Sequence, residues 1–404
     1  MIYAFQLGRE PLLSVMELDA ACRARGIIST LTVLNESVAL VEAEDMPNNI
    51  IDMLGGSIKF GRLIEIIDSA QFMDDALSIL SAETFLQGAF SDEESVAFAF
   101  SAFGDVPSGF YKKLKPLAIS WKKFLKSRFR HVRFVESKDE TTSSVTVSRN
   151  KLLRGCDLWI VFSNEQVYTI KTLDVQDYRS FSDRDFGRPR RNAKNGMLPP
   201  KLARIMVNLS GANPSSVLHD PFVGSGTILQ EAGLLGIQNL IGTDINSQNV
   251  SDAHDNLEWL QERTDKRWTA RVAQADIQKL TPSAYSDVTH VVAEIDLGDP
   301  LTKKATAREV LNRITEAEQL TQALFAYATS LPRCASIVVA LPFWPQNDGK
   351  IGRVPYTIPA GFTQLKDEQY AKAFPRELSP RGGFDYIRPD QFVGREIMVI
   401  NKSK

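Results

Sequence analysis

The sequence predicts an α/β protein: a doubly wound sheet in the C-terminal half, preceded by two smaller α+β units. Two observations carry this. In Val217-Leu-His-Asp-Pro-Phe-Val-Gly-Ser-Gly-Thr-Ile-Leu-Gln-Glu231, an apolar run ends at Asp220, a turn punctuated by Gly224 and Gly226 follows, and an amphipathic run begins at Thr227. That order reads as strand, tight loop and helix, the first turn of a nucleotide-binding sheet. Around it, strand-like runs near 216–220, 239–243, 271–274, 288–294, 336–341 and 396–401 alternate with helical ones, the pattern of a doubly wound sheet.

The N-terminal part reads differently. Ile2–Leu7, Ser37–Glu42 and Ile58–Ile67 are expected as strands, and Pro11–Arg25 as a helix with Leu12, Val15, Leu18 and Cys22 on one stripe. These form an expected unit over 1–75. A second unit is expected over 76–176, with strands at Val96–Ala102, Arg133–Glu136, Ser144–Ser148, Leu158–Phe162 and Gln166–Thr172 and a helix over Leu114–Arg128. On that helix Leu114, Leu117, Trp121 and Leu125 share a face and Lys122, Lys123 and Lys126 lie off it. Residues 177–199 read as a basic linker containing Arg184, Arg188, Arg190, Arg191, Lys194 and Gly196. The nucleotide-binding half is expected over 200–404.

Composition narrows the class. With 404 residues, 43% of them hydrophobic, the chain can build two or three cores. The formal net charge of −2 hides an asymmetry: residues 1–100 carry 16 acids against 5 bases, whereas 112–133 carry nine bases and no acid. Cys22, Cys156 and Cys334 are far apart, which argues against a disulfide framework and for a reducing compartment. The four histidines are scattered, and no metal-ligand spacing occurs. No apolar run reaches the roughly 20 residues of a membrane span, and the N-terminus lacks the basic region of a secretion signal, so a cytoplasmic location with no membrane partner is expected.

In an open α/β sheet, ligands bind at the carboxyl ends of the strands beside the switch in strand order. Strand one delivers Asp220 there. Strand two ends in Asp244, whose carboxylate can hold two ribose hydroxyls. The third run places Asp276 and Ile277 at the same edge, an acid for an exocyclic amine and an apolar wall for a ring. The spacing D-x-x-x-G-x-G lacks the Gly-Lys-Ser/Thr of a phosphate loop, and an acid at the first strand end suits a cationic or amino-bearing ligand. S-adenosyl-L-methionine fits both demands. The candidate cofactor-binding set is Asp220, Phe222, Gly224, Gly226, Thr227, Asp244, Ile245, Asp276 and Ile277. Strand four ends in Glu294-Ile-Asp296-Leu, over the expected reacting centre.

These residues resemble the class I S-adenosylmethionine-dependent methyltransferases. Asp220-Pro-Phe-Val-Gly-Ser-Gly-Thr-Ile resembles the "DPFCGSGT" of their RNA-methylase branch. Arg184-Asp-Phe-Gly-Arg-Pro-Arg-Arg191 with Gly196-Met-Leu-Pro-Pro-Lys-Leu-Ala-Arg-Ile-Met206 resembles the segment before the catalytic domain of THUMP-containing tRNA guanine-N2 methyltransferases. Phe134-Val-Glu-Ser-Lys138 and Lys151-Leu-Leu resemble their THUMP region, and Tyr3-Ala-Phe-Gln-Leu-Gly-Arg-Glu-Pro-Leu-Leu-Ser their opening. The resemblance implies a ferredoxin-like unit over 1–75, a THUMP-like RNA-binding unit over 76–176, and a Rossmann-like methyltransferase domain over 200–404. It implies transfer of a methyl group to the exocyclic N2 of a tRNA guanine, with a small zinc-binding activator protein as one further partner that some relatives use.

One departure bears on catalysis. Such enzymes usually end strand four with Asp/Asn-Pro-Pro-Tyr, and here only the acid is kept. The candidate catalytic residues are Glu294, at the family's acid position, and Asp296. Phe343 and Trp344 are candidates for the missing stacking surface or for core packing. The candidate RNA contacts are Lys112, Lys113, Lys122, Lys123, Lys126, Arg128 and Arg130, with Arg188, Arg190 and Arg191 of the linker, since neutralising phosphates releases counterions. The bland reading of the first group is a solvated helix face. Two further functions stay open: an RNA-binding homologue that keeps the cofactor pocket but has lost transfer, and a DNA amino-methyltransferase.

Overall fold

Runs of alternating apolar and polar residues fold into two separate sheets. The computed structural model describes residues 1–90, 95–137, 139–191, 197–366, 368–375, 377–389 and 391–403. Lys138, Lys194 and Gly196, which entered the expectations above, lie outside them. One compact unit comprises Met1–Pro11, Ile27–Asp52 and Gly56–Tyr178, the other Leu12–Gly26, Met53–Gly55 and Arg179–Lys404.

In chain order the N-terminal part gives β1 (Ile2–Leu7), α1 (Pro11–Ala24), β2 (Ser29–Asn35), β3 (Val38–Ala43), β4 (Ser57–Asp68), α2 (Ser69–Ser81), α3 (Glu83–Ala89), β5 (Ser95–Gly104), α4 (Phe110–Leu125), β6 (His131–Phe134), α5 (Ser144–Arg149), β7 (Cys156–Ser163) and β8 (Gln166–Val175). Its strands form one eight-stranded sheet in the order β2-β3-β1-β4-β8-β7-β5-β6. The stretches expected as separate units thus share a sheet. The joint is β4, whose 12 residues pair with β1 through their first half and with β8 from Lys59 to Asp68.

A polar network sits inside this sheet. Lys59 is fully buried and donates to Asp157 at 2.9 Å and to Thr142 at 2.7 Å. Thr172 donates to the same carboxylate at 2.6 Å and accepts from the Trp159 indole at 2.7 Å. A buried cation requires such a partner, since an unpaired one is costly to desolvate. On one face the core is aromatic: Trp121 of α4 stacks on Phe100 at 5.4 Å, meets Phe98 edge-on at 4.8 Å and donates to the Leu80 carbonyl at 3.0 Å.

Two local expectations change. Ser144–Ser148 is a helix, not a strand: the Ser143 hydroxyl caps it by accepting from the Thr146 N–H at 3.1 Å, and that cap outweighs the β-branched character of Val145, Thr146 and Val147. The stripe expected on α1 is too narrow. Leu13, Met16, Glu17, Ala20 and Ala21 are buried as well, the signature of a helix enclosed on most sides. Within its unit, Glu17 of α1 accepts from the Gly55 N–H and from the Asn208 amide, both at 2.8 Å.

The second unit continues with α6 (Tyr178–Ser182), α7 (Pro200–Leu209), β9 (Val217–Asp220), α8 (Thr227–Leu234), β10 (Asn239–Asp244), α9 (Ser247–Gln261), β11 (Thr269–Gln274), β12 (His290–Glu294), α10 (Ala307–Ser330), β13 (Ser336–Pro345), β14 (Ile351–Arg353), β15 (Phe362–Gln364), β16 (Phe384–Tyr386) and β17 (Gly394–Lys402). Its strand order is β11-β10-β9-β12-β13-β17-β15, with β14 on β13 and β16 on β17. The first five strands run parallel and β17 antiparallel to β13. The order reverses between β9 and β12, which opens a crevice at their carboxyl ends. The Rossmann-like α/β class expected from the sequence is the class observed.

His219, inside β9, has no exposed surface and is held by the Tyr327 hydroxyl at 2.7 Å and the Thr243 hydroxyl at 3.1 Å. Burial lowers its pKa to about 3. The unfolded chain therefore takes up a proton near pH 6.5 that the folded one refuses, so this residue's contribution to stability is lost as pH falls below about 6.5. Urea unfolding at pH 7 and pH 5 should show wild type losing more stability than His219→Asn, by up to about 1.4 kcal/mol per pH unit. Equal slopes would contradict the buried neutral imidazole.

Candidate active site

Sharp backbone turns bring the ends of four strands together. After Asp220, Gly224 and Gly226 both take left-handed conformations, at φ 48° and 83°, which glycine adopts without strain. A Cβ on Gly226 would sit 3.3 Å from Ala253, so this glycine also lets α8 begin close against α9. Asp220 is buried and accepts from the Phe222 N–H at 3.1 Å. Asp244, at the end of β10, accepts from the Gly224 N–H at 3.0 Å and from the Asn246 N–H at 2.8 Å.

These turns line a cleft of about 360 Å³. Asp220, Phe222, Gly224, Thr227, Asp244, Ile245, Asp276, Ile277, Glu294 and Asp296 all line it. Gly226 does not; it shapes the turn from behind. Ile245 is exposed and Ile277 buried, the two facing the cleft from successive loops. Asp276 is anchored by the Gln278 N–H at 3.0 Å and Asp296 by the Gly298 N–H at 3.0 Å. Asn246, Asn249 and Asp252 also line the cleft and were not singled out from the sequence. Six of the lining residues are carboxylates and, among the described residues, none is lysine or arginine.

The electrostatics follow from burial. Desolvation raises the pKa of Asp220 well above the usual carboxylate range, with Asp244 and Glu294 adding to the rise. Glu294 is raised for the same reason but opposed by Arg395, which donates from Nε to its carboxylate. Arg395 lies on β17 and is 1% exposed. Sequence alone does not single it out, because a cation beside Glu396 at a strand start looks like a solvated pair.

Other expected site residues are placed differently. Phe343 and Trp344 are buried, 2% and 1% exposed. Trp344 belongs to the core, and Phe343 packs against Arg353, whose guanidinium lies 4.8 Å from its ring. Neither offers a free stacking face, which corrects that expectation in favour of core packing. Arg188 is buried too: it donates to the Thr227 hydroxyl at 2.7 Å, behind the cleft-lining loop. Arg190 pairs with Asp255 at 2.7 Å, and Arg191 stacks on the exposed Phe186 ring at 4.8 Å. In the first unit, Lys112, Lys113, Lys123, Lys126, Arg128 and Arg130 are exposed and Lys122 half-buried. Arg128 pairs with Glu83 at 2.9 Å.

Segment 178–188 is not an open linker. Arg184 and Arg204 clasp the fully buried Glu231 of α8, each at 2.6 Å, with the Phe181 ring against both guanidinium groups. Asn256 of α9 accepts from the Arg190 N–H and donates to the Arg190 and Ser225 carbonyls. The sequence signal for Glu231 was available: a charge on the apolar face of an amphipathic helix is buried only with partners. Glu231→Gln leaves two like charges facing each other inside the unit. It should cost about 3–5 kcal/mol in urea unfolding, and a loss under 1 kcal/mol would show that the cluster contributes little.

Comparison with known proteins agrees with this geometry. Residues 188–334 match the family of RMKL-like methyltransferase domains, UPF0020. A tRNA (guanine(10)-N2)-dimethyltransferase of Methanothermobacter thermautotrophicus is 48% identical over 63 residues, 16% of this chain and 18% of that protein. A second, from Methanocaldococcus jannaschii, is 32% identical over 119 residues, 30% of this chain and 32% of that protein. The chain thus spans a third or less of the length of these two relatives. A protein named probable tRNA (guanine(10)-N2)-dimethyltransferase from Methanothermococcus thermolithotrophicus is 32% identical over 118 residues, 28% of this chain and 70% of that protein. The crystal structure of TrmN from Thermus thermophilus aligns over the whole of both chains with a TM-score of 0.52 at 15% identity, a likeness of fold. The chain belongs to the same family as this probable tRNA (guanine(10)-N2)-dimethyltransferase of Methanothermococcus thermolithotrophicus.

Proposed function

We propose that the protein transfers a methyl group from S-adenosyl-L-methionine to the exocyclic N2 of a guanine in tRNA. The observation that carries this reading is the cleft at the strand ends, lined by six carboxylates and no cation among the described residues. Such a lining suits a donor bearing a sulfonium and an ammonium, and it would repel a pyrophosphate. The methyltransferase family and the names of its relatives supply the reaction class and the substrate.

The donor supplies a methyl group on a positively charged sulfur. Asp244, pinned by two backbone donors, has acceptor capacity left for the ribose hydroxyls. Ile245 and Ile277 would pack against the adenine ring, and Asp276 would accept from its amine. Asp220 and the turn from Phe222 to Thr227 would receive the methionyl end. Glu294 would accept from the incoming guanine amine and hold its nitrogen in line with the methyl group, alignment being the main contribution the chain can make. Asp296, two residues on, is the alternative acceptor.

The first unit is proposed as the THUMP-like tRNA-binding part, with the exposed cations of α4 and the turn after it on phosphates. A second reading, a binding-only homologue, is favoured by one observation: strand four lacks the Pro-Pro-aromatic end and neither Phe343 nor Trp344 replaces it. A small activator protein is a further partner to test.

Three measurements address this. Calorimetry with S-adenosylhomocysteine should show binding to wild type and at least a tenfold loss in Asp244→Ala; equal affinity would remove Asp244 from the ribose contact. Labelled-methyl incorporation into unmodified tRNA should be measurable in wild type, with and without a candidate activator, and nucleoside mass spectrometry should report N2-methylguanosine. Binding without incorporation into any tRNA would establish the second reading. Charge reversal at Lys122, Lys123 and Lys126 should weaken tRNA binding and flatten its log–log salt dependence by about one unit per lost phosphate contact. An unchanged slope would make that surface a solvated helix face.

A further inference from the structure

The acceptor side of the cleft contains a cross-strand device that the sequence motif does not announce. Glu294 closes β12, opposite Ala340 of β13, which in turn is opposite Ile397 of β17. Residues paired across a sheet project to the same face, as do residues two apart on one strand. Glu294, Ala340, Pro342, Ile397 and Arg395 therefore share a face, with Pro342 opposite Arg395. The small Ala340 leaves a path over β13, and Arg395 reaches across it to place Nε on Glu294 Oε1. The neighbouring Glu396 takes the opposite face and pairs with Arg353 and Arg381. Thus the alternation of the strand puts Arg395 on the side of Glu294 and Glu396 on the other.

We propose that Arg395 is a positioning residue for methyl transfer: it fixes Glu294 as an oriented carboxylate, with Oε1 taken and Oε2 left to accept from the target amine. The proposal rests on the function given above. It explains how this chain does without the Pro-Pro-aromatic end of strand four. Here an ion pair from a distant strand orients the acceptor.

The charges around Glu294 make this necessary. Asp296 faces it from the following loop and Asp220 from the end of β9, both acidic. β13 offers only Ala340 and Pro342, and Leu320 is the cleft residue of α10. Arg395 is the cation that opposes the upward push of burial on the Glu294 carboxyl. Without it, burial and the neighbouring Asp296 would push the Glu294 carboxyl further up, and the protonated form is a weaker acceptor for an amine hydrogen.

The test compares wild type, Arg395→Gln, Arg395→Lys, Glu294→Gln and the double variant Arg395→Gln/Glu294→Gln. Two readouts are used. The first is the pH dependence of single-turnover methyl incorporation into unmodified tRNA at saturating donor. The second is a carboxyl-carbon NMR titration of glutamate-labelled protein, with Glu294 assigned by its disappearance in Glu294→Gln. Arg395→Gln should slow transfer tenfold or more at pH 7, move the acid limb up by about one pH unit or more, and raise the Glu294 titration midpoint alike. Affinity for S-adenosylhomocysteine should stay within about twofold. Arg395→Lys should restore part of the rate, and the double variant should be no slower than Glu294→Gln, as for residues acting as one unit. An unchanged Glu294 midpoint in Arg395→Gln, or additive losses in the double variant, would overturn the proposal. If wild type transfers to no tRNA, the function fails and the role in transfer fails with it, whereas a midpoint shift as stated still establishes that Arg395 holds Glu294 in its charged form.

Discussion

Two backbone N–H groups on one carboxylate hold the candidate site together. Asp244 takes Gly224 with one oxygen and Asn246 with the other. Charge-assisted bonds of this kind are short and strong. Together with the Val223 N–H to Thr243 carbonyl bond at 2.9 Å, they tie the loop after β9 to the loop after β10. The left-handed steps at Gly224 and Gly226 and the approach of Ala253 lie beside that junction.

Placing six acids around one small volume has an electrostatic cost, and the fold offsets it in several ways. Asp220 is buried deeply enough to favour its neutral form. Asp244, Asp276 and Asp296 accept from nearby backbone N–H groups. Glu294 receives a full counter-charge from Arg395.

Much of this was legible in the sequence, for physical reasons. Gly224 and Gly226 need special backbone angles, and the acids at the strand ends follow the parallel strands, so motif and geometry coincide there. The doubly wound half was equally readable, since apolar runs mark strands such as β12 and β13. What escaped were partners contributed from elsewhere in the chain. Arg395 lies 101 residues from Glu294, and nothing local distinguishes it from a surface cation. Arg188 looked like an RNA contact because charge was read without burial. Ser144–Ser148 looked like a strand because β-branched residues were weighed and the Ser143 cap was not. The expected boundary near residue 75 missed that β4 is long enough to serve two sets of neighbours.

The N-terminal helix has a consequence for biosynthesis. Glu17 of α1 is satisfied by Gly55 and by Asn208 of α7, and the Leu12 N–H donates to Glu377, 365 residues away. A chain leaves the ribosome N-terminus first. This helix, apolar on most sides, therefore emerges long before the residues that enclose it exist, and closing so large a loop is slow. Its exposed surface during that interval is a natural target for chaperones, and the packing around it is completed only once Glu377 has been made.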